Sequence, residues 1–233
     1  MTVKHSQSIK CLKCKKASDF EFYESINTAL DPKLKQRVKN FDIFKFVCPH
    51  CGSEQFVNYS FLYHQMEDQI MIFYCQDEEE VNKVRSLYAE DFATATDENG
   101  VERPIDTSGY RRRIVIGADE LVEKIRIFDA GLDDRLMEIY KVMLFGQMQA
   151  ELAEIPGGSD VDEVFVDEQL DGSLDLVFVA QGRAVGAVPF AQEMYDVIKA
   201  QYEAAVTHLA AVEPVIDQDW AFDFLAKTAQ KQA

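Results

Sequence analysis

The sequence predicts an α+β protein: an antiparallel β module elaborated with helices, then a smaller α+β unit. Three observations carry this. Aromatic and β-branched runs fill the first third, together with four of the five cysteines, arranged as two C-x2-C pairs. The middle third is acidic and has helical periodicity. Beyond the breaker "IPGGSD" at 155–160 strand patterns return, followed by two amphipathic helices. The division that results is 1–154 for the first module and 155–233 for the second. The 233 residues contain no visible internal repeat or low-complexity tract, and 47% hydrophobic residues suffice for packed cores.

In the first module, "FEFYESI" (20–26), "IFKFVC" (43–48), "FVNYSFLY" (56–63) and "QIMIFYC" (69–75) have strand composition. "HQMED" joins the last two as a hairpin. Between the first two, "DPKLKQRVKN" predicts a short helix. Asp31 is its cap, Pro32 suits its first position, and Leu34 and Val38 form an i, i+4 apolar pair. "EEEVNKVRSLYAEDF" predicts a second helix and "TATDENGVERPIDTSG" a loop of turn formers. "ADELVEKIRIFDAG" is a helix with Leu121, Val122, Ile125 and Phe128 on one face, and Gly131 is placed to stop it. "LDDRLMEIYKVMLFGQMQAELA" is apolar on most sides around Met143 to Phe145, which predicts burial there.

In the second unit, Asp171-Gly172 and Gln181-Gly182 are turn signals that cut "VDEVFVDEQLDGSLDLVFVAQGRAVGAVPF" into three antiparallel strands. "AQEMYDVIKAQY" is an amphipathic helix with Met194, Ile198 and Tyr202 in register. A last helix around "DWAFDFLAKTA" offers Trp220 and Phe224 to the core.

Charge restricts the partners. The formal net charge is −17, yet residues 1–75 carry 10 Lys/Arg against 8 Asp/Glu, so the excess acid lies beyond them. Such a field repels polyanions, and nucleic-acid binding is disfavoured for all but the first third. "MTVKHSQSIK" lacks the apolar core of a signal peptide, and "IMIFYC" and "VMLF" are too short to span a bilayer. The expectation is a cytoplasmic protein without a membrane segment, in a compartment that disfavours stable disulfides.

Cys11, Cys14, Cys48 and Cys51 form C-x2-C, a gap of 33 residues, and C-x2-C again. Each tight turn directs two sulfurs into one pocket, and two such turns build a tetrahedral S4 cage suited above all to zinc. Pro49 and Gly52 fit the second turn. Four thiolates close the coordination shell, so the expected zinc is structural. Iron in the same cage is the minor alternative.

These residues lie in a stretch that resembles the CpXC family, named for two C-P-x-C motifs. "IKCLKC", "YESINTALDPKLKQ", "FKFVCPHCG" and "FLYHQMEDQIMIFY" fit in order, continuing through "RRRIVIGADELVEKIRIFDAGLDDRLMEIYK", over roughly residues 9–146. The first motif departs from the pattern: Leu12 stands where the name expects Pro, and Lys15 where a knuckle glycine would help. The resemblance implies a zinc-ribbon site and brings no activity with it.

Other candidates weigh less. Lys10, Lys13, Lys15 and Lys16 offset the −2 charge of a Zn(Cys)4 unit. The competing role is phosphate contact, with Phe20, Phe22 and Tyr23 as stacking partners. A redox C-x2-C would stand alone at a helix N-terminus, whereas these motifs are a matched pair. Cys75 reads as a buried thiol, His64 as a local hydrogen-bonder and His50 as exposed. "DVDEVFVDEQLD" places Val164 and Phe165 where a calcium loop needs ligands and glycine. "RRR" at 111–113 reads as internal ion pairs. Asp133, Asp134 and Glu138 open the second of the paired helices, which argues against a DNA-reading role. The leading expectation is a metal-stabilised module that binds a protein partner. A nucleic-acid-associated zinc ribbon is the alternative, and a metal-dependent or redox enzyme comes third.

Overall fold

Two long strands open the chain, β1 (Val3–Lys10) and β2 (Ala17–Asn27), paired antiparallel; β1 was not expected, because its mostly polar, exposed residues show no apolar alternation. The computed structural model describes residues 2–88, 92–96, 102–107, 109–209 and 213–230. Two units are compact in themselves, Met1–Leu121 and Val122–Ala233. The content is α+β, as expected.

In the first unit, β2 leads to α1 (Pro32–Lys39), where Pro32 opens the helix and Leu34 and Val38 are buried. Asp31 makes no side-chain cap bond, contrary to expectation. The preset torsion of the proline starts the helix without it. The predicted strand 43–48 is shorter: a 3-10 turn takes Asp42–Phe44, leaving β3 (Lys45–Val47). The predicted run 56–63 divides into β4 (Glu54–Phe56) and β5 (Phe61–Gln65). A 3-10 turn at Met66–Asp68 joins β5 to β6 (Ile70–Tyr74) as the expected hairpin, and α2 (Glu78–Tyr88) follows. The stretch read as a loop contains a correction: β7 (Phe92–Thr96) and β8 (Glu102–Asp106) pair antiparallel. The Asn-Gly between them lies outside the described residues.

After β9 (Arg111–Val115) the sheet order is β1-β2-β5-β6-β9. The β module was expected to be antiparallel, but this sheet is mixed: β2 pairs with β5 and β6 with β9 in parallel. A parallel pairing requires a long crossover, and the excursions through α1 and β3–β4, and through α2 and β7–β8, provide the two. The core beneath is aromatic. Phe44 is fully buried, its ring centroid 5.3–5.9 Å from those of Tyr59, Phe61 and Tyr74.

Helix α3 (Ala118–Asp129) spans the division between the units, and Gly131 at φ 71° stops it as predicted. In α4 (Asp134–Leu152), burial centres on Leu136–Lys141 instead of Met143–Phe145. Leu144 is buried, but Met143 and Phe145 keep partial exposure. The three predicted strands are β10 (Glu163–Glu168), β11 (Leu174–Ala180) and β12 (Arg183–Pro189), and α5 (Gln192–Leu209) and α6 (Gln218–Gln230) follow. Gln181 and Gly182 both have positive φ, as a tight hairpin turn demands. The sheet's two edges are closed differently. The Val166 N–H and C=O on β10 bond to the Glu123 and Arg126 side chains (2.7 and 3.4 Å). β12 carries a bulge opposite Phe178/Val179 and ends in Pro189.

Candidate metal centre

The two C-x2-C segments adopt the same turn. In the first, the Cys11 N–H donates to the Lys16 carbonyl and the Lys15 N–H to the Cys11 carbonyl, both at 3.0 Å. In the second, the Cys48 N–H donates to Ser53 and the Gly52 N–H to Cys48, both at 2.9 Å. The fifth residue of each turn is left-handed: Gly52 at φ 68°, as its lack of a side chain allows, and Lys15 at φ 61° despite its side chain. β1 and β2 flank the first turn and β3 and β4 the second. The Leu12 N–H donates to Gln55 Oε1 (2.9 Å), linking the first turn to β4. The His50 ring lies 3.4 Å from the Ala17 carbonyl, linking the second to β2.

All four sulfurs lie within 4.8 Å of one another. Cys11 Sγ is 3.7 Å from Cys51 Sγ, and Cys14 Sγ is 3.6 Å from Cys48 Sγ. A tetrahedron with metal–sulfur bonds of about 2.3 Å has edges of about 3.8 Å, so these separations suit a single ion. Cys11 and Cys48 are buried, Cys14 is half-buried and Cys51 is exposed. The Cys14 backbone N–H, against burial, brings Cys11 down to about 6. Cys51 is pushed up to about 11: Ser53 backbone donation opposes the shift, while burial and the other three sulfurs drive it. A divalent cation would relieve this crowding, because cysteine binds it as the thiolate.

The remaining candidates separate from this cage. Cys75 is buried, and burial together with Glu80 and Asp77 pushes its thiol up to about 11, which keeps it protonated. His64 is half-buried, with its Nε2 3.2 Å from the Tyr110 hydroxyl, and burial lowers its pKa. Lys10, Lys13, Lys15 and Lys16 are all exposed around the first turn. Phe20 and Tyr23 are buried, and Phe22 packs its ring against His5 and Tyr59. Arg113 of the arginine triplet is buried and donates to the Arg112 carbonyl. Among the described residues, no helix is long and apolar enough to cross a membrane.

The CpXC protein family model matches residues 9–141, more than half of the chain and all four cysteines of the cage. The chain belongs to the CpXC family. No curated protein and no solved structure matches it. Within the family, both motifs here complete the same turn, although Leu12 fills the proline position of the first.

Sequence reading missed one constellation inside the family segment. Glu123 and Lys124 of α3 meet Asp134, Glu138 and Lys141 of α4, all at most 5% exposed. Lys124 Nζ is 2.7 Å from Glu138, and Lys141 Nζ lies 2.8 Å from Glu138 and 3.0 Å from Glu123. Burial works against Glu138 ionising, but the two lysines hold its pKa below the usual range. Burial raises Glu123, with Lys141 the main opposing charge. The available signal was the i, i+4, i+7 spacing of Asp134, Glu138 and Lys141 within an apolar helix.

Proposed function

We propose that this protein is a cytoplasmic interaction module whose β ribbon is held by one structural zinc ion on Cys11, Cys14, Cys48 and Cys51, and whose partner is another protein. The observation that carries the metal reading is the convergence of four sulfurs from two turns with the same hydrogen-bond pattern. Thiolate sulfur is soft enough for zinc, and four such ligands leave no open position for water or substrate. The ion therefore supplies folding energy. The chain's own part is to hold the sulfurs: backbone N–H groups of the first turn favour the Cys11 thiolate, and the surrounding lysines offset the site's formal −2 charge.

A protein partner is favoured over nucleic acid by two features. The net charge of −17 opposes a polyanion, and two of the three rings suited to stacking are buried. Elemental analysis of reduced protein made without added metal should give close to one zinc per chain. Less than half an equivalent of any metal would refute the metal reading. At about 0.15 M salt, mixed-sequence RNA and single-stranded DNA should not bind. Micromolar binding that is lost when Lys13, Lys15 and Lys16 become Glu, with zinc retained, would transfer the reading to nucleic acid.

A further inference from the structure

We propose that the outer edge of β1 is a docking site for an extended, acidic segment of a partner protein, taken up as an added strand. This rests on the interaction-module reading and specifies its surface. β1 is the terminal strand of the five-stranded sheet. The Cys11 N–H bond to the Lys16 carbonyl sets the ladder's alternation, so His5, Gln7 and Ile9 direct their main chain to β2. Lys4, Ser6, Ser8 and Lys10 direct theirs outward. These four residues are exposed, and among the described residues no main-chain bond reaches their outward groups. The edge thus offers four donors and four acceptors over one strand. No proline interrupts it, in contrast to β12, and among the described residues no side chain caps its main-chain groups as Glu123 and Arg126 cap those of β10.

The chemistry of this edge selects its occupant. The first 16 residues hold five lysines and no carboxylate. Glu21 pairs with Lys4 at 2.9 Å, and the −2 of a Zn(Cys)4 unit offsets two of the four lysines that remain, so a small positive excess persists at the Lys10–Lys16 end even with Asp19 opposite Ser8. A second copy fits poorly, because antiparallel self-pairing about Gln7 sets Lys4 against Lys10 twice, and directly opposed like charges destabilise a ladder. A DNA backbone offers acceptors to the outward N–H groups but no donors to the outward carbonyls, and an RNA backbone adds only its 2′-hydroxyls. A peptide supplies both, and its carboxylates answer the lysines. Leu12, 71% exposed just past the strand's end, supplies an apolar contact beside them.

The test is selection of a displayed library of random dodecapeptides on the zinc-loaded full chain at about 0.15 M salt. Enrichment of acidic, β-prone sequences is expected, and a synthetic winner should slow amide exchange at Ser6 and Ser8. Ser8→Pro removes an outward donor while leaving every ladder bond to β2, so it should weaken that peptide at least tenfold with zinc content unchanged. Ser6→Pro is the second variant should Ser8→Pro misfold. Winners without acidic bias, unchanged binding in the proline variants, or protection elsewhere than β1 would overturn the proposal. So would binding of a single-stranded oligonucleotide in place of peptides. A chain that binds such peptides but holds no metal would refute the zinc reading and leave the edge intact, whereas a zinc-loaded chain that selects none would refute the edge alone.

Discussion

Lys15 and Gly52 occupy the same position in two matched turns, and exchanging their side chains gives a sharp test of how the site is built. Both are left-handed, at φ 61° and 68°. A side chain in that conformation costs about 1–2 kcal/mol, whereas glycine adopts it freely. Against this, glycine gives the unfolded chain extra freedom worth about 0.4–1 kcal/mol. The net preference for glycine is about 1 kcal/mol at each turn, roughly fivefold in an affinity that is coupled to folding. A Cβ at Gly52 would meet nothing within 4 Å, so the effect of Gly52→Ala is torsional and not a clash. Lys15→Gly also removes a charge, so its reference is Lys15→Ala. The assay is zinc affinity by competition with a chromophoric chelator at neutral pH. Gly52→Ala should bind about fivefold more weakly than the natural chain, and Lys15→Gly about fivefold more tightly than Lys15→Ala, with Lys15→Asn between them. If Lys15→Gly binds no better than Lys15→Ala, the equivalence of the two turns is refuted.

Cys48→Ser, or removal of the metal by a strong chelator, should accelerate amide exchange in β3 and β4 and leave β10–β12 protected; unchanged protection at Phe46 would refute a folding role for the ion. Lys141→Met leaves Glu123 and Glu138 without their shared cation in a buried site and should cost about 3–5 kcal/mol by denaturant unfolding, while an apolar replacement of the whole constellation should recover most of that. Because the folded pKa of Glu138 is depressed, its contribution is present above the unfolded value of about 4.3 and is lost as pH falls through the folded one; acid unfolding should begin below that value, and Glu138→Gln should flatten it. Gly158→Ala places a Cβ 1.9 Å from the Leu152 carbonyl oxygen, so the backbone must move, at about 1–3 kcal/mol in thermal unfolding.

The features legible in the sequence were those set by local spacing. The two C-x2-C pairs, the turns at Asp171-Gly172 and Gln181-Gly182, and the stop at Gly131 each depend on a few adjacent residues, and each is found where expected. The parallel pairings of β2 with β5 and of β6 with β9 were not legible, because alternation reports which face is buried and not which strand lies alongside. The β7–β8 ladder was hidden by its composition: Pro104 and the flanking acids are turn formers in a local reading, yet they occupy a two-stranded ribbon. Met143 to Phe145 misled for the opposite reason. Their apolarity predicted burial, but α4 buries its other end, where Asp134, Glu138 and Lys141 sit among Leu136, Met137, Ile139 and Tyr140.

That buried constellation bears on where the family's fold ends. The family segment stops at Lys141, in the middle of α4. Glu123 nevertheless needs more than Lys141: it accepts the Val166 N–H at 2.7 Å, and Arg126 donates to the carbonyl of the same residue while pairing with Asp167 at 2.9 Å. A chain cut after α4 would take from Glu123 the main-chain donor it accepts, and from Arg126 both of these partners. It would also strip β10, α5 and α6 from α4, and with them packing on which a marginally stable domain depends. A fragment ending at residue 154 should therefore retain its metal, because all four cysteines lie in Met1–Leu121, but lose cooperative packing of α3 against α4. Near-ultraviolet dichroism and metal content measured on the same sample distinguish the two effects. A fragment 1–154 that keeps both would show that β10 only covers a network stable without it.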